Sequence, residues 1–380
     1  MRVALRLVNQ KSRVFVDKII SKTNVDVLYI VDRNDQKWGR LDDDYKLPII
    51  SPYKLLQLVD NGEIDFLVIL PFCGYYATKD VIEESIEMGV PKEKLLAPSV
   101  PDAILFQQSE LFDISSFSVN EFKSLPRMQY HIADHCNMNC VSCSHFSSLI
   151  HEERFMDRNI LEKDLIRLRQ LVKHIDVIEI LGGEPFLNPD WKEYVKLTKK
   201  IFEYAQMEFI TNGTMVWKMT SEDWTFIKDN DVIFRISLYK PFWNKADDIV
   251  ALLKENKIRY SVNYRVMTRF AYMFLEEPKG TVEDNRINCA SDCFQLYYGK
   301  MTPCSRMMYI RFFNEYFKTD YPEEAAVESI YEINDYEQLL KNIERPMALC
   351  QFCNIHLNNQ RFQGWDNNQS CNDDITKWIF

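Results

Sequence analysis

Residues 135–143 read HCNMNCVSC, which sets Cys136, Cys140 and Cys143 in a C-x3-C-x2-C pattern. Three thiolates this close together hold three irons of a [4Fe-4S] cube and leave the fourth iron open to another ligand. Zinc is the alternative chemistry. It asks for a fourth ligand nearby, and His135 or His145 stands ready to supply one. Disulfides are the wrong reading of the ten cysteines. Crowded triplets and close pairs are metal-ligand spacing, whereas a disulfide framework belongs to small exported domains.

Outward from this stretch the pattern alternates. MQYHIA precedes the cysteines as a strand. Then come a helix over 159–174, strand VIEIL, a helix over 190–205, strand MEFIT, a helix over 221–229, strand VIFRISLY, a helix over 246–256 and strand RYSVNYRV. Repeated strand–helix units of this kind predict a parallel barrel or part of one, whose active sites lie at the strand C-termini. At one such terminus stands Gly182-Gly183-Glu184-Pro185, an adjacent glycine pair in a chain with only ten glycines. Without Cβ atoms, backbone approaches a ligand closely, and the carbonyls before Pro185 stay free to accept bonds from an amine. The strands also carry polar faces: Arg235, Ser237 and Tyr239 on one, Ser261, Asn263 and Arg265 on another. A sheet wrapped by helices buries both faces, so a polar face predicts a filled, hydrogen-bonded cavity. For Arg235 and Arg265 the alternative is an ordinary surface position at a strand end.

The cysteine loop after the first barrel strand, GGEP after the second and ITNGT (210–214) ending the third together resemble the radical SAM superfamily over residues 128–266. The resemblance implies that Cys136, Cys140 and Cys143 bind a [4Fe-4S] cluster whose open iron is chelated by S-adenosylmethionine. It implies that Gly182, Gly183 and Glu184 bind the methionyl amine, and that Asn212 and Ser237 contact ribose or carboxylate. Arg235 and Arg265 are candidates for the SAM carboxylate or an anionic substrate. The residue before the third cysteine is usually aromatic in that family and packs on adenine; here it is Ser142, with Phe146 as a substitute. The run through His145 and Phe146 resembles a branch associated with surface polysaccharide pathways.

Residues 1–126 read as βαβ units and a connector, predicting a Rossmann-like α/β domain; no glycine-rich dinucleotide fingerprint follows the first strand. Residues 127–285 are the expected partial (β/α)6 barrel. Residues 286–380 lose the alternation and carry Cys289, Cys293, Cys304, Cys350, Cys353 and Cys371. This third segment is similar to the SPASM and twitch extensions of radical SAM enzymes. Six cysteines cannot supply two clusters, so the expectation is one auxiliary [4Fe-4S] cluster. Cys304, Cys350 and Cys353 are its leading ligands, with Cys289 or Cys293 completing the set; a structural zinc site is the alternative.

The expected function is a radical SAM oxidoreductase or epimerase acting on a sugar, nucleotide-sugar or polyol, served by an electron donor such as flavodoxin or ferredoxin. The alternatives are a peptide-modifying maturase and a non-enzymatic iron-sulfur sensor or scaffold. Maturases commonly begin with a winged-helix leader-binding module, which residues 1–100 do not resemble. A net charge of -10 without basic runs argues against nucleic-acid or anionic-membrane surfaces. No stretch has the roughly 20 apolar residues of a membrane span, and the first residues do not read as a signal peptide. The expectation is a cytoplasmic protein.

Overall fold

The computed structural model describes residues 1–70, 75–98, 114, 117, 119, 123–263, 269–272, 277–287, 289, 293–353 and 362–379. Two compact units emerge: Met1–Pro126 with Val172–Asp176, and Arg127–Leu171 with Val177–Phe380.

The first unit is built on strands β1 (Arg2–Arg6), β2 (Asp26–Val31), β3 (Ile49–Ile50), β4 (Phe66–Ile69) and β5 (Leu95–Leu96), with helices α1 (Arg13–Lys22), α2 (Pro52–Asp60) and α3 (Tyr75–Glu87). The sheet runs β3-β2-β1-β4-β5, and every pairing is parallel. This is the doubly wound order expected of strands alternating with helices. Val3, Leu5, Val68 and Leu96 on the strands bury against Phe15, Val16 and Ile19 of α1. Where a dinucleotide fold places glycine after β1, Leu7 takes a left-handed φ of 64°. At the end of β1, the buried Arg6 donates to Glu84 at 2.5 Å, and Arg33 donates to the same carboxylate at 2.6 Å.

The second unit alternates β6 (Ser124–Ala133), α4 (Arg158–Leu171), β7 (His174–Gly182), α5 (Trp191–Ile201), β8 (Gln206–Thr211), α6 (Ser221–Asp229), β9 (Ile233–Ser237), α7 (Ala246–Glu255) and β10 (Tyr260–Asn263). β11 (Arg269–Ala271), α8 (Val282–Ile287), β12 (Phe294–Tyr297), β13 (Lys300–Thr302), α9 (Ser305–Phe317), α10 (Tyr336–Glu344), β14 (Phe362–Gly364) and α11 (Gln369–Asn372) follow. The main sheet has the order β10-β9-β8-β7-β6-β12-β13. β7 to β10 pair in parallel, and β12 lies parallel to β6. β11 instead pairs antiparallel with β14. Residues 286–380, expected as a domain of their own, therefore share one compact unit with the barrel and contribute β12 to its sheet.

The helices bury one face each because their apolar residues recur at helical spacing. On α5, Trp191, Tyr194, Val195 and Thr198 face the sheet, where Trp191, Phe186, Phe209 and Phe234 form an aromatic core with ring centroids as close as 4.6 Å. On α6, Thr220 and Asp223 close a capping box at the N-terminus. This packing fixes the strand ends on which the site stands. No helix among the described residues is long and apolar enough to cross a membrane.

Candidate active site

The cysteine loop leaves β6 at Ala133 and is tied down at once. The Asp134 amide donates to the Arg154 carbonyl at 2.9 Å, and the Arg154 amide donates to His135 Nδ1 at 3.0 Å. Further on, Ser142 and Phe146 take left-handed φ values of 58° and 55°, a conformation that costs a residue with a Cβ about 1 kcal/mol. Long-range contacts hold both there. Ser142 Oγ donates to the Lys377 carbonyl at 2.8 Å, and Phe146 is fully buried against Phe313 and Trp378. Phe146 is thus a core residue and not the adenine-stacking substitute expected from its place in the motif.

The result is a cavity of about 220 Å³ lined by all three cysteines, Cys136, Cys140 and Cys143, with Gly182, Gly183, Asn212, Ser237 and Tyr239 among its walls. Burial pushes the Cys143 thiol up, while the backbone N–H groups of His145, Ser147, Phe146 and Ser148 pull the other way. An N–H nest of this kind suits an anionic sulfur. Burial, with the Cys143 charge, pushes the Cys140 thiol up to about 12. For Cys136, burial is joined by the charges of Glu184, Cys143 and Cys140 and raises it well above the usual range. Buried thiols become thiolates when metal supplies the positive charge, and these three surround a space of suitable size. Among the described residues no three Cys, His, Asp or Glu side chains converge on one point as they would around a single ion. Each histidine considered for zinc has Nδ1 engaged, His135 with the Arg154 amide and His145 with His131 Nε2 at 2.8 Å.

The glycine pair is needed for a reason the sequence did not disclose. A Cβ on Gly182 would lie 1.9 Å from the Ala133 carbonyl oxygen, and one on Gly183 would lie 2.2 Å from that of His135. The closely approaching backbone is the cysteine loop itself, bonded by Gly183 N–H to Ala133 O at 2.9 Å.

Glu184, expected among the SAM contacts, is fully buried and is not part of the cavity wall. Its carboxylate accepts from Thr211 Oγ1 at 2.7 Å and from the Asn212 amide at 2.9 Å, and so ties the end of β7 to the end of β8. Burial pushes it up to about 7 against these bonds. Asn212 does line the cavity. Its Nδ2 donates to Asn137 Oδ1 at 2.9 Å, beside Cys136, and its Oδ1 accepts from the Thr214 amide at 2.9 Å. Ser237 lines it from the end of β9, and Tyr239 stacks on Trp365 at 5.6 Å.

Arg235 sits on the same face of β9 as Ser237, one step further from the strand end. It pairs there with the buried Glu179 and with Glu208 at 3.2 Å. Arg127 joins Glu179 at 2.5 Å, and Gln129 and Gln295 extend the network. The polar face is present, but at this depth its side chains pair with one another and Arg235 stays partly exposed, engaged away from the cysteine cavity. Arg265 lies outside the described residues.

The family model of the Radical SAM superfamily matches residues 130–263. These residues are a radical SAM domain. A radical SAM domain is one that works with S-adenosylmethionine and a [4Fe-4S] cluster. No curated protein matches the chain. Among solved structures, native anSMEcpe with bound AdoMet and Cp18Cys peptide is 19% identical over 37% of this chain and 42% of that one, with a TM-score of 0.29. This chain thus spans 42% of that structure's length. BtrN in complex with AdoMet and 2-DOIA is 16% identical over 62% of this chain and 97% of that one, with a TM-score of 0.35. SuiB from Streptococcus suis, bound to S-adenosylmethionine, is 13% identical over 49% of this chain and 50% of that one, with a TM-score of 0.27.

Beyond the radical SAM motif a second group of cysteines gathers. Cys304 ends the β13 turn just before α9, and the charges of Cys353 and Cys289 both act on its thiol, which burial pushes up to about 12. Cys350 and Cys353 sit in one short turn, with the Cys353 amide donating to the Cys350 carbonyl at 3.2 Å. Asn285 of α8 donates to that same carbonyl at 3.0 Å, which brings the chain leading to Cys289 alongside. The Cys293 carbonyl accepts from Gln295 Nε2 at 2.9 Å at the entry to β12. The side chain of Cys371 lies outside the described residues.

Sequence reasoning missed Trp365 and the segment after it. The Val141 amide donates to the Asp366 carbonyl at 3.2 Å, and the Asn139 amide to Asn367 Oδ1 at 2.6 Å, so these residues flank Cys140 from outside the motif.

Proposed function

We propose that this radical SAM enzyme abstracts a hydrogen atom from a carbon of a sugar, nucleotide-sugar or polyol and oxidises or epimerises that centre. Cys136, Cys140 and Cys143 hold the cluster, and Gly182, Gly183, Asn212 and Ser237 contact SAM. The observation that carries the reading is that these residues, drawn from the ends of four strands, share one cavity. When bound, the cluster and SAM supply a 5′-deoxyadenosyl radical able to take hydrogen from an unactivated C–H. The chain's part is to exclude water, orient the target carbon and hold it close. Ser144 and Tyr239 add hydroxyl groups to the wall, which suits a hydroxyl-rich substrate. Cys289, Cys304, Cys350 and Cys353 hold one auxiliary [4Fe-4S] cluster, with Cys293 as the alternative ligand, and this favours oxidation of a C–OH. The parallel sheet of residues 1–126 supports a small-molecule substrate over a leader peptide.

Anaerobic reconstitution with iron and sulfide tests the core of this reading. The parent should bind about eight irons and release 5′-deoxyadenosine from SAM and dithionite; a Cys136→Ala, Cys140→Ala, Cys143→Ala variant should bind about four and release none. Equal cleavage by both proteins rejects the assignment. For the substrate, deuterated nucleotide-sugars and polyols should pass deuterium into 5′-deoxyadenosine. Transfer from a peptide and from no sugar makes the chain a maturase instead.

A further inference from the structure

Arg306 is the second residue of α9, two positions after Cys304. Its Nη1 donates to Cys353 Sγ at 3.1 Å, while its Nε is buried with no hydrogen-bond partner among the described residues. Among the described residues it meets no carboxylate. Its charge also reaches His145, which lines the radical SAM cavity beside Cys143. One half-buried guanidinium therefore touches the second cysteine group at Cys353.

An arginine so placed needs an anion. Desolvating a guanidinium without a counter-charge costs several kcal/mol, and arginines removed from water are ordinarily paired. A cubane with four thiolate ligands is anionic and gains one further negative charge on reduction, so it supplies that counter-charge. The guanidinium gives Arg306 an Nη1 donor for the Cys353 sulfur and leaves its Nε–H, on the edge shared with Nη2, for a second acceptor.

We propose that Arg306 is a positioning residue for electron transfer, which fixes the Cys353 sulfur and stabilises the reduced auxiliary cluster so that it accepts the substrate's electron. The inference rests on the auxiliary-cluster reading above. After hydrogen abstraction the carbon radical R2C•–OH loses one proton to water and one electron, giving R2C=O. The auxiliary cluster that Cys289, Cys304, Cys350 and Cys353 would hold would supply the one-electron acceptor.

The test uses the full chain carrying Cys136→Ala, Cys140→Ala and Cys143→Ala, so that iron signals come from the auxiliary site alone. Iron is counted, and a dithionite titration followed by EPR gives the midpoint potential, with and without Arg306→Gln. The expected result is unchanged iron and a lower midpoint. At the parent's midpoint the reduced-to-oxidised ratio should fall about tenfold, the size of one charge-assisted hydrogen bond. Arg306→Lys, which keeps the charge but not the fork, should fall by less. An unchanged midpoint in Arg306→Gln with iron retained overturns the proposal and leaves the cluster reading standing. Absence of iron from the triple-cysteine background overturns both. Should Arg306→Gln shed its iron, Arg306→Lys carries the test: a midpoint below the parent's supports the role, and one equal to it rejects it.

Discussion

The backbone of Gly183 runs so close to that of His135 that a Cβ on the glycine would stand 2.2 Å from the His135 carbonyl oxygen and 2.7 Å from Cys136 Cβ. Both obstacles belong to the cysteine loop, and one is rigid backbone. Gly183→Ala must therefore push the loop away from β7. Overpacking of this kind costs on the order of 3 kcal/mol. The variant should lose the irons held by Cys136, Cys140 and Cys143 while the auxiliary site keeps its own, as read by iron analysis and EPR with and without SAM. Gly364→Ala is the control, because nothing lies within 4 Å of its Cβ position; it should stay within about 0.5 kcal/mol of the parent.

Arg235 separates a structural role from a binding role. Its pairing with Glu179 and Glu208 predicts that Arg235→Gln weakens the fold by about 2–3 kcal/mol, because Glu179 is fully buried and among the described residues keeps Arg127 and Gln129. SAM affinity should stay within about twofold of the parent, since the cavity wall does not include this residue. A large loss of SAM binding in a variant of unchanged stability would return Arg235 to the cofactor site.

How far the site was legible follows from the range of its contacts. The triplet of cysteines and the glycine pair are local patterns, so spacing sufficed to bring them to one cavity. Strand alternation correctly put Arg235 and Ser237 on one face, but periodicity carries no information about depth along a strand, and that depth divides a wall residue from an ion pair. Phe146 was misjudged because its partner, Trp378, lies far along the chain. The carbonyls of Asp366 and Lys377 that brace the cysteine loop are backbone atoms with no residue signature. For the fold, doubly wound order follows from strand–helix alternation in residues 1–126, whereas the pairing of β12 with β6 joins distant segments and has no local signal.

In the first unit Glu84 serves two arginines, Arg6 at 2.5 Å and Arg33 at 2.6 Å, and Arg6 is only 2% exposed. Although burial opposes ionisation of Glu84, the bonds to Arg33 and Arg6 win and hold its carboxyl below the usual range. The unfolded chain therefore binds this proton more readily than the native one. The ion pair's stabilisation is complete above the ordinary glutamate range near 4.5 and is lost as pH falls through the depressed native value. Hydrogen exchange of the β1 amides should show opening becoming easier across that acidic window. Glu84→Gln should flatten this pH dependence and, at neutral pH, weaken the unit by about 3 kcal/mol by stranding Arg6.

Trp378 tests whether the segment after Trp365 is part of the cluster's cradle. The indole is fully buried, stacks on Phe146 at 5.9 Å and donates from Nε1 to the Asn372 carbonyl at 2.9 Å. Asn372 in turn exchanges bonds with Ser148, its Nδ2 donating to the Ser148 carbonyl at 3.0 Å and its Oδ1 accepting from Ser148 Oγ at 3.3 Å. Phe146 and Ser142 hold left-handed conformations on either side of Cys143 because these contacts oppose their relaxation. Removing the indole should cost about 3–5 kcal/mol, as for other large aromatics in cores. It should also let the loop relax, so Trp378→Ala should lose iron from the radical SAM site before it loses iron from the auxiliary one. Trp378→Phe, which keeps a ring against Phe146, should recover most of the iron. If Trp378→Ala lowers stability alone and both sites keep their iron, the segment is ordinary core and the loop holds its shape unaided.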